Sequence, residues 1–101
     1  MKWIAEYADL HGILMAPHGV GDGIFGIAAL TQVCSTLPQN YIAFELPAVI
    51  PDFWMDITEG LPDGYLRDGH IKVWDTPGIG VTFNVNKATA YLNPDDKDFF
   101  L

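Results

Sequence analysis

The sequence predicts an α/β fold built around one βαβ unit, and three observations carry that expectation. A continuous apolar run, Ile13-Leu14-Met15-Ala16, ends at Pro17-His18 and is followed by a glycine-rich loop and an apolar helical pattern from about Ile24. A second strand-like run, Tyr41-Ile42-Ala43-Phe44, ends at Glu45. Half of the 101 residues are apolar and 13% are aromatic, which places the chain among folded rather than disordered or fibrous sequences and limits it to one small domain at most.

Residues 1–10 have helical spacing, with Trp3, Tyr7 and Leu10 on one face and Ile4 and Ala8 beside them. His11-Gly12 reads as its end, because glycine takes the left-handed cap conformation without a Cβ penalty. No Ser, Thr, Asp or Asn precedes this helix to cap it, so the chain is expected to enter in mid-element. The run at residues 13–16 is continuous rather than alternating, which suits a strand of a parallel sheet buried on both faces. Residues 24–37 read as a helix whose buried stripe is Ile27, Leu30, Thr31 and Cys34, closed by Pro38-Gln39-Asn40. Residues 41–46 complete a parallel pair, joined by a crossover that is right-handed in nearly all proteins.

After Pro47 the pattern breaks at Pro51, Pro62 and several Asp and Gly residues. Phe53-Trp54-Met55-Asp56-Ile57 reads as one helical turn or an extended piece, and residues 69–74 as a half-exposed strand. Pro77-Gly78-Ile79-Gly80-Val81 turns into an extended stretch to Asn84, and Asn84 and Asn86 offer caps for a short helix at 87–92. Residues 93–101 read as a loose acidic tail in which Phe99, Phe100 and Leu101 have the character to dock. The resulting division is 1–60 for the βα units, 61–92 for a return segment and 93–101 for the tail.

The net charge of −8, with only five Lys and Arg, excludes the basic patches that nucleic acid and anionic membranes require. Asp52, Asp56, Glu59, Asp63 and Asp68, and the tail's Asp95, Asp96 and Asp98, read as solvated surface carboxylates. The lone Cys34 excludes a disulfide framework and a paired-cysteine metal site, consistent with a reducing, cytoplasmic setting, and its place on the apolar stripe makes it a packing residue. No stretch is long enough to span a bilayer, and Glu6, Asp9 and His11 interrupt any signal-peptide core. Asp22 reads as a turn residue, and His11 and His70 carry no assigned role.

Two readings compete for the glycines. Gly21, Gly23 and Gly26 fit GxGxxG after a strand, with Glu45 about 20 residues on where a ribose-binding acid sits in dinucleotide folds. Against this, Pro17-His18-Gly19-Val20 makes the loop too long and places a bulky ring in it, and no second nucleotide-binding helix and strand follow. The second reading is a (β/α) barrel, whose active site lies at the C-terminal ends of the strands. There His18 and Glu45 are adjacent-strand residues sharing one mouth. A third, non-catalytic reading is a small acidic module that contacts a partner through residues 53–57.

Ala16-Pro17-His18 after an apolar strand, Leu37-Pro38 after the helix, Ala43-Phe44-Glu45-Leu46-Pro47, and the later Leu61-Pro62, Asp68-Gly69-His70-Ile71 and Pro77-Gly78-Ile79-Gly80-Val81 stand in an order and spacing that resembles the enolase superfamily, mandelate racemase/muconate lactonizing enzyme group. The resemblance covers roughly residues 1–92, and it is to the end of the barrel in the mandelate racemase subgroup, many of whose members are acid-sugar dehydratases. It implies the last two strands of a (β/α)7β TIM-like barrel with their helices, then a segment returning to a capping domain.

It also implies a chemistry in which the proton next to a carboxylate is removed from a sugar acid, with a divalent metal, usually Mg2+, holding that carboxylate. His18 matches the subgroup's base on the seventh strand, and Glu45 matches the acid on the eighth that hydrogen-bonds the developing enolate. Racemisation, epimerisation and cycloisomerisation begin with the same step. The three acidic metal ligands, a second base lysine and the Asp that orients the histidine belong to earlier strands, and such a barrel needs about 250 residues. The resemblance therefore implies a C-terminal piece of a homo-oligomeric enzyme, inactive alone, with open strand edges that invite aggregation.

Overall fold

In the computed structural model, which describes residues 1–101, the element order is α1 (Lys2–Leu10), α2 (Gly23–Cys34), α3 (Asp52–Asp56), β1 (Thr58–Glu59), β2 (Leu66–Arg67), β3 (His70–Ile71), β4 (Thr82–Phe83) and α4 (Val85–Ala88). Single 3-10 turns follow at Thr89–Tyr91 and Pro94–Asp96. Between α1 and α3 the two expected parallel segments are present in reduced form. They share a parallel bridge, Met15 with Tyr41. Three backbone bonds extend it: Met15 N–H to the Asn40 carbonyl (2.8 Å), Ile42 N–H to the Met15 carbonyl (3.1 Å) and Glu45 N–H to the Pro17 carbonyl (3.0 Å).

Burial of these segments departs from the expectation. Ile13, Leu14 and Ile42 are 56%, 64% and 61% exposed, so the pair is not covered on both faces. The contacts with α2, Leu30 beside Gly19 and Cys34 beside Tyr41, do not enclose these three side chains. α1 differs in the same way. Its packed residues are the small Ala5 and Ala8, whereas Trp3, Ile4, Tyr7 and Leu10 face solvent. Its end is as expected, with Gly12 in the left-handed region (φ +66°) and the Ile13 N–H bonded back to the Ala8 carbonyl at 2.9 Å.

Asn40 ties this corner together. Its buried Nδ2 donates to the Ala5 carbonyl (3.0 Å) and to the Ile13 carbonyl (2.9 Å), joining α1, the first segment and the start of the second.

Helix α2 is the hub of the core. Ile24, Ile27, Ala28, Leu30, Thr31 and Cys34 are buried, which includes all four residues of the expected stripe. The helix stops at Cys34, three residues short of the expected Leu37. The Ser35 and Thr36 hydroxyls donate back to the Gln32 and Val33 carbonyls (2.7 and 2.8 Å), competing with the helical ladder, and Leu37 precedes a proline.

The return segment docks on α2 at two points. Gln32 Nε2 donates to the Trp74 carbonyl at 3.0 Å. The rings of Phe25 and Phe83 meet edge to face with centroids 5.7 Å apart. Buried Trp74 is itself held by Nε1–H donating to the Ile79 carbonyl at 3.2 Å, and Gly80 supplies the space beneath its ring.

The expected half-exposed strand at 69–74 is half of a short hairpin, β2 with β3, in which Leu66 faces Ile71 and Arg67 faces His70. Asp68 and Gly69 (φ +51° and +73°) form its two-residue turn, the geometry that an Asp-Gly pair favours. β4 pairs antiparallel with β1, Thr58 opposite Phe83 and Glu59 opposite Thr82, which fastens the return segment to the residues after Glu45. α4 begins at Val85, two residues before the expected start, because Asn84 rather than Asn86 is the cap: its Oδ1 accepts from the Lys87 N–H at 2.9 Å. In the tail, Phe100 packs on Phe83 at 5.7 Å.

The whole is elongated, 50 × 28 × 27 Å with a radius of gyration of 15.9 Å. A closed domain of this length has a radius near about 13 Å. The accessible surface of 7102 Å² likewise exceeds the roughly 5,700 Å² expected for a compact monomer of this mass.

Candidate active site

The site is built by the backbone. Residues 13–17 and 41–45 run parallel, and the Glu45-to-Pro17 bond is the last rung before both turn away. His18 is the first residue past that rung on one segment, and Glu45 is the donor of the rung on the other. His18 Nε2 therefore lies 3.6 Å from Glu45 Oε2, just beyond a direct hydrogen bond, with the two side chains 71% and 58% exposed. An exposed pair of this kind contributes at most about 1 kcal/mol, so the strands, not the pair, set its separation. It is an ion pair only when the imidazole is protonated.

Such a pair at strand ends has a definite chemical capacity. Imidazole changes charge near neutrality and can both take and give a proton. A carboxyl group beside it can hydrogen-bond an oxygen on which charge develops, provided that it carries the proton. No three His, Cys, Asp or Glu side chains converge on a metal-holding arrangement. His18 and Glu45 stand as two, short of the near-octahedral oxygen set that Mg2+ demands, so the residues present do not make a magnesium site.

The glycine motif has structural employment here. Gly21 and Gly23 take left-handed φ (+87° and +65°), which turns the chain into α2. Gly26 leaves room for Asp22, whose Cβ would be 2.1 Å from any Cβ at position 26. The aromatic segment is also engaged within the chain. Phe53 packs on Tyr91 at 5.5 Å, and the Tyr91 hydroxyl donates to Asp56. Trp54 is half-buried and packs edge to face on Phe53.

The larger cavity, about 330 Å3, lies elsewhere. Thr31, Cys34, Tyr41, Phe44, Leu46 and His70 are among its walls, and neither His18 nor Glu45 lines it. Phe44 and Leu46 flank Glu45, which by strand alternation points to the opposite face. Two of the cavity's titratable groups, Cys34 and Tyr41, are engaged with each other: burial pushes the Cys34 thiol up, opposed by a hydrogen bond from Tyr41. Burial, followed by Cys34, pushes the Tyr41 hydroxyl up.

Sequence reasoning brought out His18 and Glu45, and the structure brings them together. It missed Asn40, which joins α1 to the two segments, and Gly19, which abuts the Glu45 backbone. Asn40 was read only as part of a helix stop, and Gly19 only as part of a long loop. The available signals were a buried-type Asn immediately before a strand and a glycine directly after a candidate catalytic histidine.

The chain matches the family described as enolase C-terminal domain-like over residues 1–88, and it belongs to that family. It is 32% identical over 89 residues to the D-xylonate dehydratase of Haloferax volcanii, a match that covers 88% of this chain and 21% of that protein. The chain thus spans about a fifth of the length of the curated relative it matches. No solved structure matches it. No helix is long and apolar enough to cross a membrane.

Proposed function

We propose that this chain carries two catalytic residues of an acid-sugar dehydratase, and that residues 1–60 correspond to the last βα units of a TIM-like barrel with 61–92 returning toward a capping domain. The observation that carries the reading is the His18–Glu45 pair at the ends of two parallel segments, where barrel enzymes do their chemistry. The similarity to a D-xylonate dehydratase supports a sugar acid as substrate.

In this reading His18 accepts the proton from the carbon next to the carboxylate. The electron pair moves into a carbon–carbon double bond, and the hydroxyl on the following carbon departs as water with the proton that His18 returns. The resulting enol becomes the 2-keto acid. Glu45 in its protonated form donates a hydrogen bond to the carboxylate oxygen on which charge develops. The divalent metal that the family implies is assigned to acids outside these residues, and the isolated chain is assigned no activity.

The test is a chimera in which this chain replaces the stretch it matches in the Haloferax volcanii enzyme. A folded chimera that dehydrates D-xylonate and loses turnover on His18→Ala supports the reading. Unchanged turnover in that variant, or a folded chimera without activity, overturns it.

A further inference from the structure

We propose that Gly19 is a positioning residue for the His18–Glu45 pair, an assignment that rests on the reading of those two as catalytic. Eight of the ten glycines have left-handed φ and owe their identity to backbone conformation, but Gly19 is not among them. What position 19 requires is space. A Cβ there would lie 2.2 Å from the Glu45 carbonyl oxygen, 3.4 Å from the Glu45 carbonyl carbon and 3.2 Å from Leu30 Cδ1. The first obstacle is backbone and has no rotamer to escape into. Its position is tied down because the N–H of the same residue is bonded to the Pro17 carbonyl at 3.0 Å. Leu30, the third obstacle, is a buried core residue of α2.

A methyl group at position 19 therefore wedges between the chain carrying His18 and the chain carrying Glu45. It does so one residue past His18 and against Glu45 itself, so the displacement falls on the pair. Gly26 offers the contrast. Its Cβ would also be crowded, at 2.1 Å, but by the side chain of Asp22 in the loop entering α2 rather than by the site's backbone. One glycine admits the helix start; the other admits the site.

The test is nuclear magnetic resonance on the full chain with Trp3→Lys and Leu10→Lys to keep it monomeric, and on the Gly19→Ala and Gly26→Ala variants of that chain. The readouts are the Overhauser contact between the His18 ring and the Glu45 side chain, and the exchange rates of the Glu45 and Ile27 amides. The parent chain is expected to show the contact and a slow Glu45 amide. Gly19→Ala is expected to lose the contact and to exchange the Glu45 amide at least about tenfold faster, with Ile27 unchanged. Gly26→Ala is expected to keep the contact. Retention of both signals in Gly19→Ala overturns the assignment, as does a joint loss of Ile27 protection, which would make Gly19 a general packing residue. A contact missing from the parent chain removes the pair and the catalytic reading with it. An active His18→Ala chimera leaves the resonance result standing, so the two failures are separable.

Discussion

The N–H of Glu45 donates to the carbonyl of Pro17 at 3.0 Å, and this backbone bond sets the imidazole of His18 beside the carboxylate of Glu45. The pair is thus a product of strand register. A shift of one residue would turn Glu45 to the opposite face and dissolve it.

In the dehydratase chimera, His18→Ala should lower kcat by at least about 100-fold, the usual worth of a positioned acid–base group. Glu45→Gln should cost about 10- to 100-fold if a neutral donor suffices at that position, and Glu45→Ala more, because it removes the donor altogether. Steady-state kinetics on D-xylonate measures both, and the KM should change less than kcat.

Asn40→Ala should destabilise the full chain by about 1–3 kcal/mol, since two side-chain hydrogen bonds, one buried and one part-buried, are lost. Asn40→Asp should cost more at neutral pH, because a carboxylate would then face both carbonyl oxygens. Urea denaturation followed by circular dichroism gives the ordering; equal midpoints for all three proteins would remove Asn40 from its clamping role.

Gly80→Ala should loosen the return segment. The new Cβ would lie 1.9 Å from Trp74 Nε1, and the site has φ +77°, so the substitution is both crowded and strained. A loss of more than about 1 kcal/mol is expected. Trp74 fluorescence should shift to the red as the indole leaves its buried seat. Fluorescence in a Trp3→Phe, Trp54→Phe background isolates that signal.

Stability should fall above about pH 9. Burial raises the Cys34 thiol above its ordinary value of 9.0, and Tyr41 and Tyr65 above theirs of 10.0. Groups raised on folding hold more protons in the native state, so their contribution is complete below the unfolded values and is lost as pH rises through the folded ones. Thermal melts from pH 7 to 11 should show a plateau and then a decline, and the decline should be shallower in Tyr41→Phe. A melting temperature that rises across that range would contradict the assignment.

The exposed face of α1 together with the uncovered segment beside it should make the chain self-associate. Trp3 is 86% exposed and Leu10 82%, with Leu14 at 64%. Light scattering at micromolar concentration should detect association, and Trp3→Lys with Leu10→Lys should suppress it.

The amino-acid sequence by itself determined the local choices. The stripe of α2, the glycine at the end of α1, the Asn cap near α4 and the places of His18 and Glu45 at the ends of two apolar runs all follow from spacing and residue chemistry, which act within a few residues. The tertiary structure decided what burial and approach decide. It left the Trp3–Tyr7 face of α1 open and buried Ala5 and Ala8, because apolar periodicity marks a face without saying what covers it. It cut α2 short at Cys34, where side-chain hydroxyls outcompete the helical ladder. It set Glu45 against Pro17, Gly19 against the Glu45 backbone and Gly80 beneath Trp74, through close approaches in space that no periodic pattern encodes.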